Sequence, residues 1–178
     1  MRAWAGRLGA LGTVVPFDYR YQTARRRYPD RMPVLLEAHR EALAAARREY
    51  PSRTILIGKS MGSRIGCHLS LEGLPGGPIE ALVCLGYPLR GVKGQLRDEV
   101  LLALRTRVLF VQGTRDPLGP LPALEDVRHR MSAPNALHVV EGGDHSLRLP
   151  GKAGKEGSPT QEESDARVLT AIRDFLAA

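Results

Sequence analysis

The stretch Ile57-Gly58-Lys59-Ser60-Met61-Gly62-Ser63-Arg64 parses in two ways that share one serine. As Gly-Lys-Ser it is the tail of a phosphate-binding loop. As Gly-x-Ser-x-Gly it is a sharp turn presenting a serine side chain. A phosphate loop, Gly-x-x-x-x-Gly-Lys-Ser, needs its first glycine where Arg53 stands, followed by flexible turns whose backbone N–H groups wrap the phosphate. The residues in between are Thr54-Ile55-Leu56-Ile57, a stiff β-branched run. That run suits the second parsing, in which a strand leads through a strained serine into a helix starting near Met61. Residues two places to either side of such a serine must be small, and Gly58 and Gly62 stand there. The helix start would set free N–H groups and a positive dipole end beside the serine.

Outward from the turn, strands and helices alternate. The run 54–57 has no polar alternation, as expected of a strand covered on both faces. Further strands are expected at Ala81–Leu85, Val108–Val111 and Leu137–Val140, and one upstream over Thr13–Phe17, with Pro16 marking its irregular end. Pro33–Tyr50 reads as a helix, with Pro33 in its first turn and Leu35, Ala38, Ala42 and Ala45 at helical intervals. Helices are also expected from Met61 to Leu71, over Asp98–Leu102 and from Leu121 to Met131. In the last helix, Thr160 and Glu163 form a capping box, and Val168, Leu169, Ile172, Phe175 and Leu176 share a face. This alternation predicts an α/β chain, a mostly parallel sheet flanked by helices, in a single domain over 1–178. The Gly-, Lys- and Pro-rich stretch near 150–159 reads as a mobile surface loop.

Two later strand ends carry chemistry. Val108–Val111 runs into Gln112-Gly113-Thr114-Arg115-Asp116-Pro117, and Leu137–Val140 into Glu141-Gly142-Gly143-Asp144-His145-Ser146. In an open parallel sheet these loops lie on the same edge as Ser60. The order Ser60, Asp116, His145 is the one a nucleophile, an orienting acid and a general base take in such a topology. His145 would remove the Ser60 proton, and Asp116 would fix the imidazole tautomer and stabilise its charged form. Asp116 before Pro117 is also an ordinary turn former, His145 could be a plain loop residue, and Asp144 is an adjacent alternative acid. His39, His68, His129 and His138 fall inside expected helices or strands and read as surface or packing residues. Lys59 and Arg64 flank the turn, either as solvated helix-start charges or as a preference for an acidic substrate.

Composition bounds the remaining choices. The chain has 178 residues, 43% of them hydrophobic and 25% charged, with 26 Lys and Arg against 19 Asp and Glu and a net charge of +7. The basic residues are spread out, apart from Arg25-Arg26-Arg27 and Arg47-Arg48. Aromatic residues are only 5%, which argues against a base-stacking surface and so against nucleic acid. No apolar run approaches the roughly 18 residues that a membrane span needs. Cys67 and Cys84, without a paired motif or a recognisable leader, read as reduced and buried. An intracellular site is expected, the cytoplasm first and the nucleus as the alternative. Met1–Phe17 carries Arg2 and Arg7 but no acid, as a transit peptide would. Trp4, Leu8 and Leu11, however, recur at helical spacing and favour a structural helix. No cluster of metal ligands and no cofactor motif is visible, so neither a metal nor a cofactor is expected.

The segments "FDYRY", "GKSMGSR", "CLGYPL", "FVQGTRDPLGP" and "GGDHSL", in this order, resemble the α/β-hydrolase superfamily. More narrowly they resemble its dienelactone-hydrolase-like branch, which includes the testis-expressed hydrolase-like protein and the third subunit of the NSL histone-acetylation complex. The resemblance runs from about Trp4 to Leu176 and implies a triad of Ser60, Asp116 and His145, with the Met61 N–H as one oxyanion donor. Members begin with further strands and a His-Gly loop that supplies a second donor. This sequence starts at what resembles the helix after that loop, so the fold is expected to lack the N-terminal strands and leave a sheet edge uncovered. Two functions follow. One is a serine hydrolase acting on a small-molecule ester, thioester or similar acyl bond, with a short Gly86–Asp98 connection leaving its site open. The other is a non-catalytic module of the same fold that binds a protein partner. The sequence leaves the oligomeric state open.

Overall fold

The computed structural model describes residues 2–91, 94–151 and 159–178. Of the loop expected near 150–159, positions 152–158 lie outside them. The described chain runs α1 (Arg2–Leu8), α2 (Arg20–Thr23), α3 (Met32–Glu49), β1 (Thr54–Lys59), α4 (Met61–Leu69), β2 (Ile79–Leu85), α5 (Glu99–Ala103), β3 (Arg107–Gly113), α6 (Leu121–Arg130), β4 (Asn135–Val140) and α7 (Gln161–Ala177). The strands form a four-stranded sheet in the order β1-β2-β3-β4, and every neighbouring pair is parallel.

Alternation along the central strands divides the core. Leu82 and Cys84 of β2 and Val108 and Phe110 of β3 face one side, packed against Cys67 and Leu69 of α4, Leu101 of α5 and Leu124 and Val127 of α6. Val83, Leu85, Leu109 and Val111 face the other, against Trp4 and Leu8 of α1 and Val168 and Ile172 of α7. Successive side chains of a strand point to opposite faces, so one four-residue run supplies both halves of the core. The helical spacing of Trp4 and Leu8 is therefore structural. Cys67 and Cys84 are both free and buried, with sulfur atoms 3.8 Å apart across the α4–β2 contact. The α7 capping box forms: the Thr160 side chain accepts from the Glu163 N–H, and the Thr160 N–H donates to Glu163 Oε2 at 2.7 Å.

Two expectations about strands need correction. Residues 13–17 are not a strand; they run without regular structure, with Val14 and Val15 36% and 49% exposed. Their β-branched composition suits a pleated, half-buried surface, but propensity of this kind needs a partner strand, and among the described residues none pairs with them. And β1 is covered only in part: Leu56 packs on one half of the core and Ile57 on the other, but all six of its residues are half-buried, because β1 is an outer strand with one edge open. Between its open side and residues 13–17 lies a cavity of about 840 Å³, lined by Val14, Val15, Phe17, Ile55, Leu56 and Ile57 among others and reaching Ser60.

Candidate active site

β1 ends at Lys59, and the chain turns through Ser60 at φ 53° and ψ −120° into α4. Backbone in this region is strained for any residue with a side chain, and it persists only where the surroundings enforce it. Gly58 supplies part of that enforcement: a Cβ there would overlap the backbone of Gly62 and Ser63. Gly62 differs from its expectation. A Cβ built on it meets nothing within 4 Å, because Gly62 already lies in the first turn of α4 and borders the open cavity. The steric demand for glycine falls on one side of the serine only.

Ser60, Asp116 and His145 come together at the C-terminal edge of the sheet. His145 Nε2 lies 2.7 Å from Ser60 Oγ, and His145 Nδ1 lies 2.8 Å from Asp116 Oδ2. The Asp116 carboxylate is fully buried while the His145 side chain keeps 23% exposure. Asp116 Oδ1 accepts the Leu118 N–H at 2.9 Å. Gly86 makes room for the histidine loop: at φ +63°, a Cβ there would stand 2.6 Å from the His145 carbonyl oxygen. Met61, the first residue of α4, has an N–H without a partner inside the helix, as first-turn N–H groups do.

Sequence reasoning missed Gln112. Fully buried on β3, its Nε2 donates to Asp116 Oδ2 at 2.6 Å and to the Gly119 carbonyl at 3.0 Å. Its Oε1 accepts the Tyr87 N–H at 2.9 Å. One amide thus ties the acid loop to the ends of β2 and β3. The available signal was a polar residue closing an apolar strand four places before the acid.

Asp144 takes no part in the contact with His145. Its Oδ1 accepts the N–H groups of Ser146 at 2.7 Å and Arg148 at 2.9 Å, shaping the loop that carries the histidine. Burial pushes the Asp144 carboxyl up, but those two N–H bonds and the charges of Arg148 and Lys59 outweigh it and hold it below the usual carboxylate range. Lys59 Nζ donates to Ser146 Oγ at 3.0 Å. Among the described residues, no group of three or more His, Cys, Asp or Glu is placed to hold a metal ion.

The family profile for the alpha/beta hydrolase domain matches residues 1–177. An alpha-beta serine hydrolase homologue from Coxiella burnetii shares the fold at 18% identity and a TM-score of 0.69, over 98% of this chain and 73% of its own. The RedJ thioesterase of the prodiginine biosynthetic pathway in Streptomyces coelicolor does so at 19% identity and a TM-score of 0.67, over 97% and 83%. An esterase domain from Rhodothermus marinus matches at 15% identity and a TM-score of 0.58, over 79% and 66%. At these identities the likeness is one of fold. With the profile spanning nearly every residue, the chain belongs to the alpha/beta hydrolase domain family.

Proposed function

We propose that the chain is a serine hydrolase acting on an ester, thioester or similar acyl bond, with Ser60 as nucleophile, His145 as general base and Asp116 as the orienting acid. The observation that carries this reading is the unbroken line from Ser60 Oγ through both His145 nitrogens to Asp116, at 2.7 and 2.8 Å. Ser60 Oγ attacks the acyl carbon while its proton passes to His145 Nε2. The buried Asp116 carboxylate, accepting from Nδ1–H, stabilises the imidazolium. The Met61 N–H and the positive end of α4 take up charge on the former carbonyl oxygen. The tetrahedral centre then collapses, and Nε2–H protonates the departing alkoxide or thiolate. Water, deprotonated by the same nitrogen, releases the acid from the acyl-Ser60 intermediate. The five motifs quoted above favour the dienelactone-hydrolase-like branch, and the open cavity beside Ser60 suits a small or surface-presented acyl substrate.

A second reading has support of its own. A second oxyanion donor is worth about 2.7–4 kcal/mol of transition-state stabilisation, and the side of Ser60 facing the cavity is open. A protein-binding module without catalysis would leave the site in that condition. A fluorophosphonate probe separates the two. The hydrolase reading expects one adduct, mapped by intact mass and peptide analysis to Ser60, and none in Ser60→Ala or His145→Ala. A folded chain that stays unlabelled favours the binding module.

A further inference from the structure

On the flank of α4, away from the Ser60–His145 contact, polar groups gather without partners. Arg64 Nε, His68 Nε2 and the Tyr87 hydroxyl are each sealed from solvent and, among the described residues, lack a hydrogen-bond partner. Arg64 and His68 border a groove of about 280 Å³ between α4 and α5, together with Leu71, Arg97, Glu99, Val100 and Ala103. Tyr87, fully buried beneath this face, is close enough to both guanidinium groups to feel their charge.

The charges in the groove do not cancel. Burial and the neighbouring Arg97 both disfavour the Arg64 cation, and Glu99 offsets this only in part. Glu72, the other nearby acid, lies outside the lining of the groove and accepts from Arg40 Nη2 at 2.8 Å, an arginine it shares with Glu37. His68 is held below its usual range by burial and by Arg64, so near neutral pH it adds no charge. Among the residues that line the groove, two arginines face one glutamate, one positive charge in excess. A buried guanidinium N–H without an acceptor loses the hydrogen bonds that water gave it, and native structures rarely leave several such groups side by side. Oxygen acceptors bearing negative charge would correct both deficits, and the planar fork of arginine is built to receive them.

We propose that the groove between α4 and α5 is a binding site for a ligand bearing a carboxylate or phosphate group, held by the guanidinium groups of Arg64 and Arg97. Arg64 lies four residues after Ser60, about 6 Å along the helix axis. The groove shares no lining residue with the cavity along β1. The site does not depend on whether Ser60 is a nucleophile.

The test is titration of the whole chain with inorganic phosphate and, separately, with acetate, at constant ionic strength set with chloride. Calorimetry and the arginine Nε–Hε signals in NMR provide the readouts. The expected result is saturable binding of at least one anion, with a displaced Arg64 Nε–Hε signal. The tighter of the two identifies the ligand class. Arg64→Gln and Arg97→Gln should each weaken binding by at least about tenfold, with Arg64→Lys in between, since it keeps the charge and loses the fork. Binding that fails to saturate for both anions, or that persists unchanged in Arg64→Gln and Arg97→Gln, overturns the proposal. An unmoved Arg64 signal in the unmodified protein does the same, and needs no variant that must fold.

Discussion

Ser60 adopts its positive φ because the turn leaves nowhere else for the backbone to go, and the two glycines near it do unequal shares of that work. A methyl group on Gly58 would overlap the backbone of Gly62 and Ser63, whereas one on Gly62 meets open space. Gly58→Ala should therefore cost at least about 3 kcal/mol, the upper range for overpacking, since backbone cannot rotate away. Gly62→Ala should raise stability by about 0.5–1 kcal/mol through its helix propensity and a less disordered unfolded chain. Urea midpoints at constant slope measure both. Equal losses in the two variants would mean that the turn is crowded on both sides. Ser60, Asp116 and His145 were readable from the sequence because each follows a recognisable apolar run, so topology gathers them at one edge. Gln112 was not, since a polar residue closing a strand signals a strand end long before it signals a side chain holding the acid.

At the scale of elements, α3 to α7 and the four strands were legible to within a few residues, because apolar runs and helical spacing mark the sides that face the core, whereas the four-residue α2 (Arg20–Thr23) carries too short a pattern to be read. Residues 13–17 misled, as their composition describes a surface that wants a neighbour and cannot say whether one is present. What anchors that segment instead is aromatic. The Phe17 ring stands 4.8 Å from Tyr19 and 5.3 Å from the His39 ring of α3, and the Tyr19 hydroxyl lies 3.1 Å from His39 Nδ1. Burial lowers the His39 pKa from 6.5 to about 4. The unfolded chain therefore binds this proton more readily than the folded one. The stability held by neutral His39 is whole above pH 6.5 and drains as pH falls toward 4. Between about pH 7.5 and pH 5 the loss should come to about 2 kcal/mol. Denaturant unfolding at both pH values should show most of this drop gone in His39→Gln. His68 and His138, lowered by burial as well, should sustain a residual slope of the same sign. An identical drop in the variant would remove His39 as its source.

Across the whole molecule, the parallel sheet does two things with one geometry. Its C-terminal edge collects the loops that carry Ser60, Asp116 and His145, and among the described residues its lateral edge at β1 has no neighbouring strand. The lateral edge leaves a signature in hydrogen exchange. The Ser60 N–H bonds the Leu85 carbonyl at 3.0 Å. With a period of two along the strand, the amides of Leu56 and Gly58 turn toward β2 as well, while those of Ile55, Ile57 and Lys59 turn toward the cavity. Amide protons along β1 should thus alternate between slow and fast exchange with deuterated solvent, whereas β2 and β3, paired on both sides, should be slow throughout. Uniform protection along β1 would mean that this edge is closed in solution. The fast amides of one strand therefore serve as a clock, and any polypeptide that came to lie along β1 would stop it at Ile55, Ile57 and Lys59 while leaving the rest of the sheet unchanged.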